Sequence, residues 1–237
     1  MPKALAIETS ARAGSIAIVA DGRVLAEREF ASGLQHAAQI IPIIDELCRA
    51  QGWSPGAIEE LYVSAGPGSF TGLRIGITLA KTLALATGVK LVAVPTARVL
   101  VENAPAEARH VVIVLDAKRD QIFTARFERD LSSSDGWIER ESARLDSLKA
   151  MLERSPRPVY LLGEGIPYHE KFIAKNQADV IVTPPEFWRP RAAMVAKIGG
   201  AMARRGEFAD PDQLTPLYIR RAEAEEKWDA MHGTKSN

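Results

Sequence analysis

Residues 66–76 read Gly-Pro-Gly-Ser-Phe-Thr-Gly-Leu-Arg-Ile-Gly and connect a short apolar strand to a long apolar helix. Glycines permit positive φ angles and close backbone approach, and the N–H groups at the start of a helix face the preceding loop. The sequence therefore predicts a candidate anion-binding loop formed by Gly66, Gly68, Ser69 and Gly72. A tight turn whose helix is capped by a hydroxyl explains the same pattern equally well.

This loop matches none of the common catalytic loops. Leu73 stands where a P-loop requires lysine, and the glycine spacing is one residue too long for a dinucleotide fingerprint. Thr71 replaces the second glycine of a serine-hydrolase elbow. The sequence of the loop alone is therefore compatible both with an anion-binding site and with a plain turn.

A second candidate segment lies at the end of the first predicted strand, where Glu8, Thr9 and Ser10 precede Gly14. A carboxylate with neighbouring hydroxyls at a strand end can hold a metal-bound phosphate. A polar strand end that hydrogen-bonds its own turn is the simpler interpretation. Together with the glycine loop, these residues form the candidate nucleotide or phosphate site.

The order of predicted elements indicates a duplicated α/β fold. The first hundred residues are predicted as βββαβαβα, and the second half repeats this order imperfectly. Two units that begin with antiparallel strands and continue into alternating helices and strands are typical of mixed sheets flanked by helices. We predict an N-terminal lobe with partner-binding helices over 1–105, a C-terminal lobe over 106–222, and a polar, partly disordered tail over 223–237.

Two predicted helices of the first lobe, over 33–51 and 71–87, have unusually wide apolar faces. Their apolar arcs cover about 160° and about 220°, whereas a helix packed on one sheet needs roughly 100°. Other helices of the same lobe could cover the excess, or a second subunit could. We expect Ile43 and Leu79, at the edges of the arcs, to be partly exposed. The predicted partner surface comprises Ile40, Ile43, Ile44, Leu47, Ile75, Leu79, Ala80 and Leu83.

The overall composition is that of a neutral, cytoplasmic protein. Thirty Lys and Arg balance thirty Asp and Glu, so no global field attracts the chain to nucleic acid or anionic lipid. Cys48 is the single cysteine, so no internal disulfide can form, which fits a reducing compartment. We expect no signal peptide at the N-terminus and no contact with a membrane, because no apolar run approaches the roughly 18 residues of a spanning helix.

Several of these segments resemble the TsaB (YeaZ) family. The resemblance lies in residues 5–10, 36–47 and, most specifically, 66–76, and it extends to the segment 216–220. It implies a two-lobed actin-like ATPase (ribonuclease H-like) α/β fold, in which each lobe is a mixed sheet flanked by helices. One departure is that the family usually has aspartate at the position of Glu8, whereas its catalytic relative TsaD usually has glutamate.

The resemblance also implies a function in tRNA modification. The chain is then a non-catalytic scaffold subunit that forms homodimers or pairs with a TsaD-type catalytic subunit, which transfers threonylcarbamoyl to N6 of adenosine 37 in tRNAs reading codons that begin with A. A TsaE-type ATPase joins the pair, and tRNA is contacted only indirectly. The chain has no cofactor of its own, and ATP and a divalent metal belong to the partners. The metal-binding His-x-x-x-His motif of the catalytic relative is missing, because Ile40 stands four residues after His36.

Two other functions stay open at this point. A self-sufficient kinase of the same superfamily needs a catalytic acid in the second half, where Asp116, Lys118 and Asp120 form the candidate cluster. An exposed turn explains that cluster as well. An inactive metallopeptidase homologue would act as a homodimeric binding module, although the isolated histidines do not supply a metal site.

The first prediction is that the purified chain hydrolyses ATP negligibly and retains no stoichiometric zinc or iron. The reason is that the paired histidines are missing and Glu8 is the one carboxylate recognisable at a phosphate-type site. Steady-state ATPase assays and elemental analysis check it. Robust turnover that Glu8→Ala abolishes would favour the kinase.

Overall fold

The computed structural model describes residues 2–30, 36–132, 136–175 and 178–219. The elements of the first half are β1 (Ala4–Glu8), β2 (Gly14–Ala20), β3 (Arg23–Phe30), α1 (His36–Ala50), β4 (Glu60–Gly66), α2 (Phe70–Thr87), β5 (Lys90–Pro95) and α3 (Thr96–Val101). Those of the second half are β6 (His110–Asp116), β7 (Ile122–Arg129), β8 (Trp137–Asp146), α4 (Leu148–Glu153), β9 (Val159–Leu162), α5 (Glu170–Lys175), β10 (Val180–Val182) and α6 (Ala192–Arg204).

The two sheets have the same topology. The strand order is β3-β2-β1-β4-β5 in the first sheet and β8-β7-β6-β9-β10 in the second. In each, the first three strands of the half pair antiparallel, and the last two add in parallel. The predicted duplicated α/β fold with two mixed sheets is therefore confirmed. No helix among the described residues is long and apolar enough to span a bilayer.

Helices cover both faces of the first sheet. The strand β1 alternates large and small apolar side chains, so both of its faces are apolar and can pack against a helix. Leu5 and Ile7 point toward α1 and α2, whereas Ala4 and Ala6 belong to the layer under α6. The small side chains on the second face let α6 approach closely. A Cβ on Gly199 would lie 2.5 Å from the ring of Tyr62.

The helix α6 thus returns from the second half of the chain to the first sheet. It contacts β1, β2, β4 and β5 of that sheet. The predicted lobe boundary at residue 105 stays a prediction, and the packing of α6 means that the range 106–222 does not belong wholly to the second sheet. The predicted tail, 223–237, lies outside the described residues.

The helix α2 begins and ends close to where the sequence predicts. Ser69 caps its start, because the Ser69 Oγ accepts a hydrogen bond from the Gly72 N–H at 3.2 Å. Gly88, at a φ of 73°, ends it by donating its N–H to the Ala84 carbonyl at 2.8 Å. Both are common solutions for unpaired groups at helix ends.

The glycines of α2 and its preceding loop are needed for close approach. A Cβ on Gly68 would lie 2.3 Å from the Ser10 carbonyl oxygen, and one on Gly72 would lie 1.9 Å from the Thr9 carbonyl oxygen. The positive φ that the sequence allows for in this loop belongs to Gly66, at 107°. The glycine face of α2 therefore packs directly on the backbone that follows β1.

Any side chain on this face should weaken the first lobe. We predict that Gly68→Val and Gly72→Val each lower the free energy of unfolding by about 1 to 3 kcal/mol, because overpacking displaces backbone. Chemical denaturation of both variants measures the loss. The matched control is Gly56→Val, since a Cβ on Gly56 meets no atom within 4 Å. Variants at 68 and 72 that unfold like the control would mean that the loop is an ordinary connection.

Candidate functional site

A cleft of 590 Å³ lies between the two lobes. The turn after β1 and the loop before α2 line it from the first lobe, and the turn after β6 together with Tyr168 lines it from the second. The C-terminal segment 217–219 closes one side. This cleft contains part of the predicted phosphate site.

The carboxyl group of Glu8 does not face this cleft. Its side chain is fully buried, and its Oε1 accepts hydrogen bonds from the Ser10 N–H at 2.5 Å and the Ser10 Oγ at 2.6 Å. Within the described ranges, the Glu8 Oε2 has no hydrogen-bond partner. Glu8 therefore bonds to its own turn, as the simpler interpretation of the sequence holds.

Burial also changes the charge of Glu8. Removal from water raises the pKa of this carboxyl from 4.5 to about 7, while hydrogen bonds from Ser10 and Ser64 lower it by less. A fully buried carboxyl that is only partly ionised at neutral pH is a poor ligand for a divalent cation.

The predicted loop residues are divided between the cleft and the interior. Ser10, Gly68 and Ser69 line the cleft, whereas Thr9 is fully buried beneath α2 and the Gly72 N–H is used by the cap. Gly66 packs on the C-terminal segment, where a Cβ would lie 3.2 Å from the Leu217 carbonyl oxygen. In the described part of the chain, no three His, Cys, Asp or Glu side chains cluster as metal ligands would.

The second-lobe cluster is a structured turn. Both Asp116 carboxylate oxygens bind Lys118, Oδ1 through the N–H at 2.9 Å and Oδ2 through Nζ at 2.8 Å. Burial pushes the pKa of Asp116 upward, but these bonds outweigh it and leave the pKa below its ordinary value. Residues 118–120 all have positive φ angles, 63°, 54° and 59°. Of the candidate cluster, Asp116 and Lys118 line the cleft and Asp120 does not.

Side chains from both lobes meet across the cleft. The Arg12 guanidinium donates to the Tyr168 hydroxyl at 2.6 Å, and the Arg12 N–H donates to Glu164 at 3.4 Å. The Lys118 ammonium lies 5.6 Å from the centroid of the Tyr168 ring. The sequence interpretation did not identify Arg12 or Tyr168, although Arg12 stands only two residues after Ser10.

An aromatic and cationic stack lies at the other end of the cleft. The Arg74 guanidinium lies 4.0 Å from the ring centroid of Phe70, and its Nε donates to the Tyr218 hydroxyl at 2.9 Å. The rings of Phe70 and Tyr218 are 5.2 Å apart. The signal that could have identified Tyr218 is the family-like segment 216–220.

The predicted partner surface on α1 and α2 is only partly available. Ile40, Leu47 and Ala80 are buried in the first lobe's own core, and their part in a partner surface stays a prediction. The other five predicted residues, Ile43, Ile44, Ile75, Leu79 and Leu83, are partly exposed. The expectation that Ile43 and Leu79 are partly exposed is thus confirmed.

A groove of 420 Å³ runs between α1 and α2, and of these partly exposed residues Ile75 and Leu79 line it. Its apolar walls include Ile41, which is 50% exposed, with Ile75 and Leu79. Thr78 and Thr82 border it along the exposed side of α2. The lobe's own core therefore leaves an apolar groove uncovered.

Two lobes of matching topology around a cleft define a protein of the actin-like ATPase fold class. The family model described as tRNA N6-adenosine threonylcarbamoyltransferase, TsaD, matches residues 29–228. A protein named tRNA threonylcarbamoyladenosine biosynthesis protein TsaB from Bacillus subtilis is 30% identical over 94% of this chain and 96% of its own length. The chain belongs to the TsaB family.

Two further comparisons agree with this assignment. The Escherichia coli protein of the same name is 28% identical over 91% of this chain and 94% of its own length. The solved structure of YeaZ from Pseudomonas aeruginosa superposes with a TM-score of 0.76 at 24% identity, covering 92% of this chain and 100% of that chain. The superposition supports the fold.

The burial of the Glu8 carboxyl predicts that the folding stability of the chain depends on pH. In the unfolded chain Glu8 loses its proton above about 4.5, whereas the folded chain holds it to about 7. Stability should therefore fall as pH rises between these values, by on the order of 3 kcal/mol in total. Glu8→Gln removes this titration, so its stability relative to the original chain should rise from pH 5 to pH 8. Urea denaturation at both pH values measures the change.

The control for that experiment is Glu107→Gln, which alters an exposed carboxylate. It should shift stability equally at pH 5 and pH 8. A Glu8→Gln variant that behaves in the same way would mean that the folded carboxyl titrates normally.

Proposed function

We propose that the chain is a non-catalytic scaffold and activator subunit for formation of threonylcarbamoyladenosine at position 37 of tRNAs that read codons beginning with A. In this role it pairs with a TsaD-type catalytic subunit, and a TsaE-type ATPase joins the pair. The names of the Bacillus and Escherichia relatives and the matching family model support this assignment. Contact with tRNA is indirect, and ATP and a divalent metal belong to the partners.

The uncovered groove between α1 and α2 is the observation that carries the proposal. Exposed apolar grooves of this kind usually mark protein interfaces, because burying them against a partner removes apolar area from water. Leu79 lines this groove, and both Leu79 and Ile43, on α1, pack against the lobe's own core. A partner helix can therefore extend an existing apolar core.

The cleft supports the non-catalytic part of the proposal. Its acidic side chains, Asp116 and Glu164, are engaged by Lys118 and by the Arg12 N–H, and Glu8 lies behind the wall. Phosphoryl transfer needs a metal-binding or basic carboxylate that reaches the substrate. A cleft whose carboxylates already bind groups of the same chain fits a scaffold better than a kinase.

The same groove can serve a homodimer when the catalytic subunit is absent. Dimers usually form around a two-fold axis that pairs the same surface of both copies, so the apolar surface around this groove can pack against that of a second copy. The two assemblies then exclude each other, because both cover Leu79 and its neighbours.

A charge on the predicted partner surface should separate folding from pairing. We predict that Ile43→Glu and Leu79→Glu melt near the temperature of the original chain but bind the TsaD-type subunit over a hundredfold more weakly. Burying an unpaired carboxylate costs several kcal/mol, and about 1.4 kcal/mol corresponds to tenfold in affinity. Thermal melting and titration calorimetry measure the two effects.

Two control variants accompany this experiment, one at the surface and one in the core. Leu131→Glu changes a side chain that is 92% exposed and should alter neither property, whereas Val112→Glu places a charge in the core of the second lobe and should unfold it. Ile43→Glu and Leu79→Glu variants that melt normally and still bind would place the interface elsewhere. Variants that unfold like Val112→Glu would assign both side chains to the core.

A further inference from the structure

A second cavity, of 340 Å³, lies in the first lobe on the opposite face of the sheet from α1 and α2. Its lining includes Val19, Tyr62 and Ala196, which belong to the apolar layer that packs beneath α6. It shares no lining residue with the cleft between the lobes or with the groove between α1 and α2. Its volume lies in the range of about 300 to 1,000 Å³ that is typical of small-molecule sites.

Small residues on α6 create this space. The residues of α6 that line the cavity and have small side chains are Ala193, Ala196, Gly200 and Ala203. Gly199 brings the helix onto the ring of Tyr62, where no Cβ would fit. At the next residue, Gly200, a Cβ would have only ordinary contacts, the nearest being Arg204 Nη1 at 3.7 Å and the Tyr62 hydroxyl oxygen at 3.8 Å. The helix therefore touches the sheet at Gly199 and leaves room beside Gly200.

A phenol and a carboxylate stand at one end of the cavity. Tyr62 is buried, and its hydroxyl donates a hydrogen bond to the Glu60 carboxylate. Burial, together with this contact, raises the pKa of the Tyr62 hydroxyl above its ordinary value, so the hydroxyl keeps its proton. Because that proton is directed at Glu60, the Tyr62 oxygen can accept a further hydrogen bond from a ligand.

The guanidinium of Arg204 supplies the opposite charge at the same end. Arg204 Nη1 and the Tyr62 hydroxyl both lie within 4 Å of one point, the Cβ position of Gly200. Within the described ranges, Arg204 has neither a hydrogen bond nor an ion pair. The other cation of the lining, Lys197, is already bound by the Glu102 Oε2 at 2.5 Å. An unused guanidinium can hold a carboxylate through two parallel hydrogen bonds.

This set of groups matches a zwitterion. A simple anion that paired with Arg204 would be repelled by Glu60, and a simple cation that paired with Glu60 would be repelled by Arg204. A free α-amino acid carries an ammonium group and a carboxylate on one carbon, so it can satisfy both residues at once. Val19, Val24 and the alanines of α6 would then surround its side chain, which should be apolar because these residues offer it no side-chain hydrogen-bond partner.

We propose that this cavity binds a free α-amino acid with an apolar side chain, whose carboxylate pairs with Arg204 and whose ammonium group donates to Glu60 and to the Tyr62 hydroxyl oxygen. The site does not depend on the proposed function, because it lies on the other face of the sheet from the predicted partner surface.

Titration calorimetry of the full chain with L-valine tests the proposal. We expect saturable binding of L-valine. Isobutylamine, which lacks the carboxylate, and isovalerate, which lacks the ammonium group, should each bind at least about tenfold more weakly, which corresponds to about 1.4 kcal/mol. Failure of L-valine to bind at millimolar concentration, or equal affinity for L-valine and either analogue, would overturn the proposal.

Two variants locate the site. Arg204→Met should weaken L-valine binding at least about tenfold, because it removes the partner of the carboxylate. Gly200→Leu fills the cavity and should abolish binding while thermal melting shows a folded chain. Arg205→Met is the matched control, since this neighbouring arginine pairs with Glu207 and does not line the cavity, and it should bind L-valine like the original chain.

Unchanged L-valine binding in Arg204→Met would overturn the proposal even if Gly200→Leu failed to fold. Binding retained by a folded Gly200→Leu variant would overturn it as well, because the amino acid would then occupy another site. Leu79→Glu, on the predicted partner surface, should bind L-valine like the original chain. A failure of pairing with the TsaD-type subunit would therefore count against the proposed function alone.

Discussion

The contact between the glycine face of α2 and the backbone after β1 determines the arrangement of the first lobe. Gly72 allows α2 to approach until a Cβ would lie only 1.9 Å from the Thr9 carbonyl oxygen, and the Ser69 N–H donates to the Ser10 carbonyl at 2.7 Å. Because the helix is held there, one of its ends borders the cleft between the lobes. Its outer face borders the groove beside α1. The cleft and the groove are thus two sides of one helix, and Arg74 links them.

This close packing also explains why the family-like motif does not produce an obvious phosphate site. The glycines approach the chain's own backbone, and Ser69 uses its hydroxyl to cap the helix. Glu8 bonds to Ser10 and is fully buried, so its ionisation is costly. The charged side chains that line the cleft are the cations Arg12 and Lys118 and the carboxylates of Asp116 and Glu164, which accept hydrogen bonds from the same chain. Such a lining supports a scaffold, whose function depends on the surface that it offers to a partner.

Much of the fold could be predicted because it depends on local patterns. Alternation in β1 and β2, the Ser69 cap and the Gly88 stop place the elements of the first lobe to within a few residues. The sequence could not reveal that α6 returns to the first sheet, since small residues such as Gly199 carry no signal for a distant partner. The burial of individual positions on the predicted partner surface could not be read from the sequence for a related reason. Helical periodicity identifies Ile40, Leu47 and Ala80 as apolar, but it does not show which apolar positions the lobe covers itself. The contact of Arg12 with Tyr168 joins residues 156 positions apart, and no local pattern encodes it.

The central claim is that the chain acts by supporting a catalytic partner. The most direct measurement is the amount of threonylcarbamoyladenosine formed in tRNA by purified TsaD-type and TsaE-type subunits, supplied with the activated threonylcarbamoyl donor, with and without this chain. The account predicts that product forms only when the chain is present, that the chain alone forms none, and that Glu8→Gln supports the same yield as the original chain. Equal product without the chain, or complete loss of product with Glu8→Gln that remains folded, would contradict it.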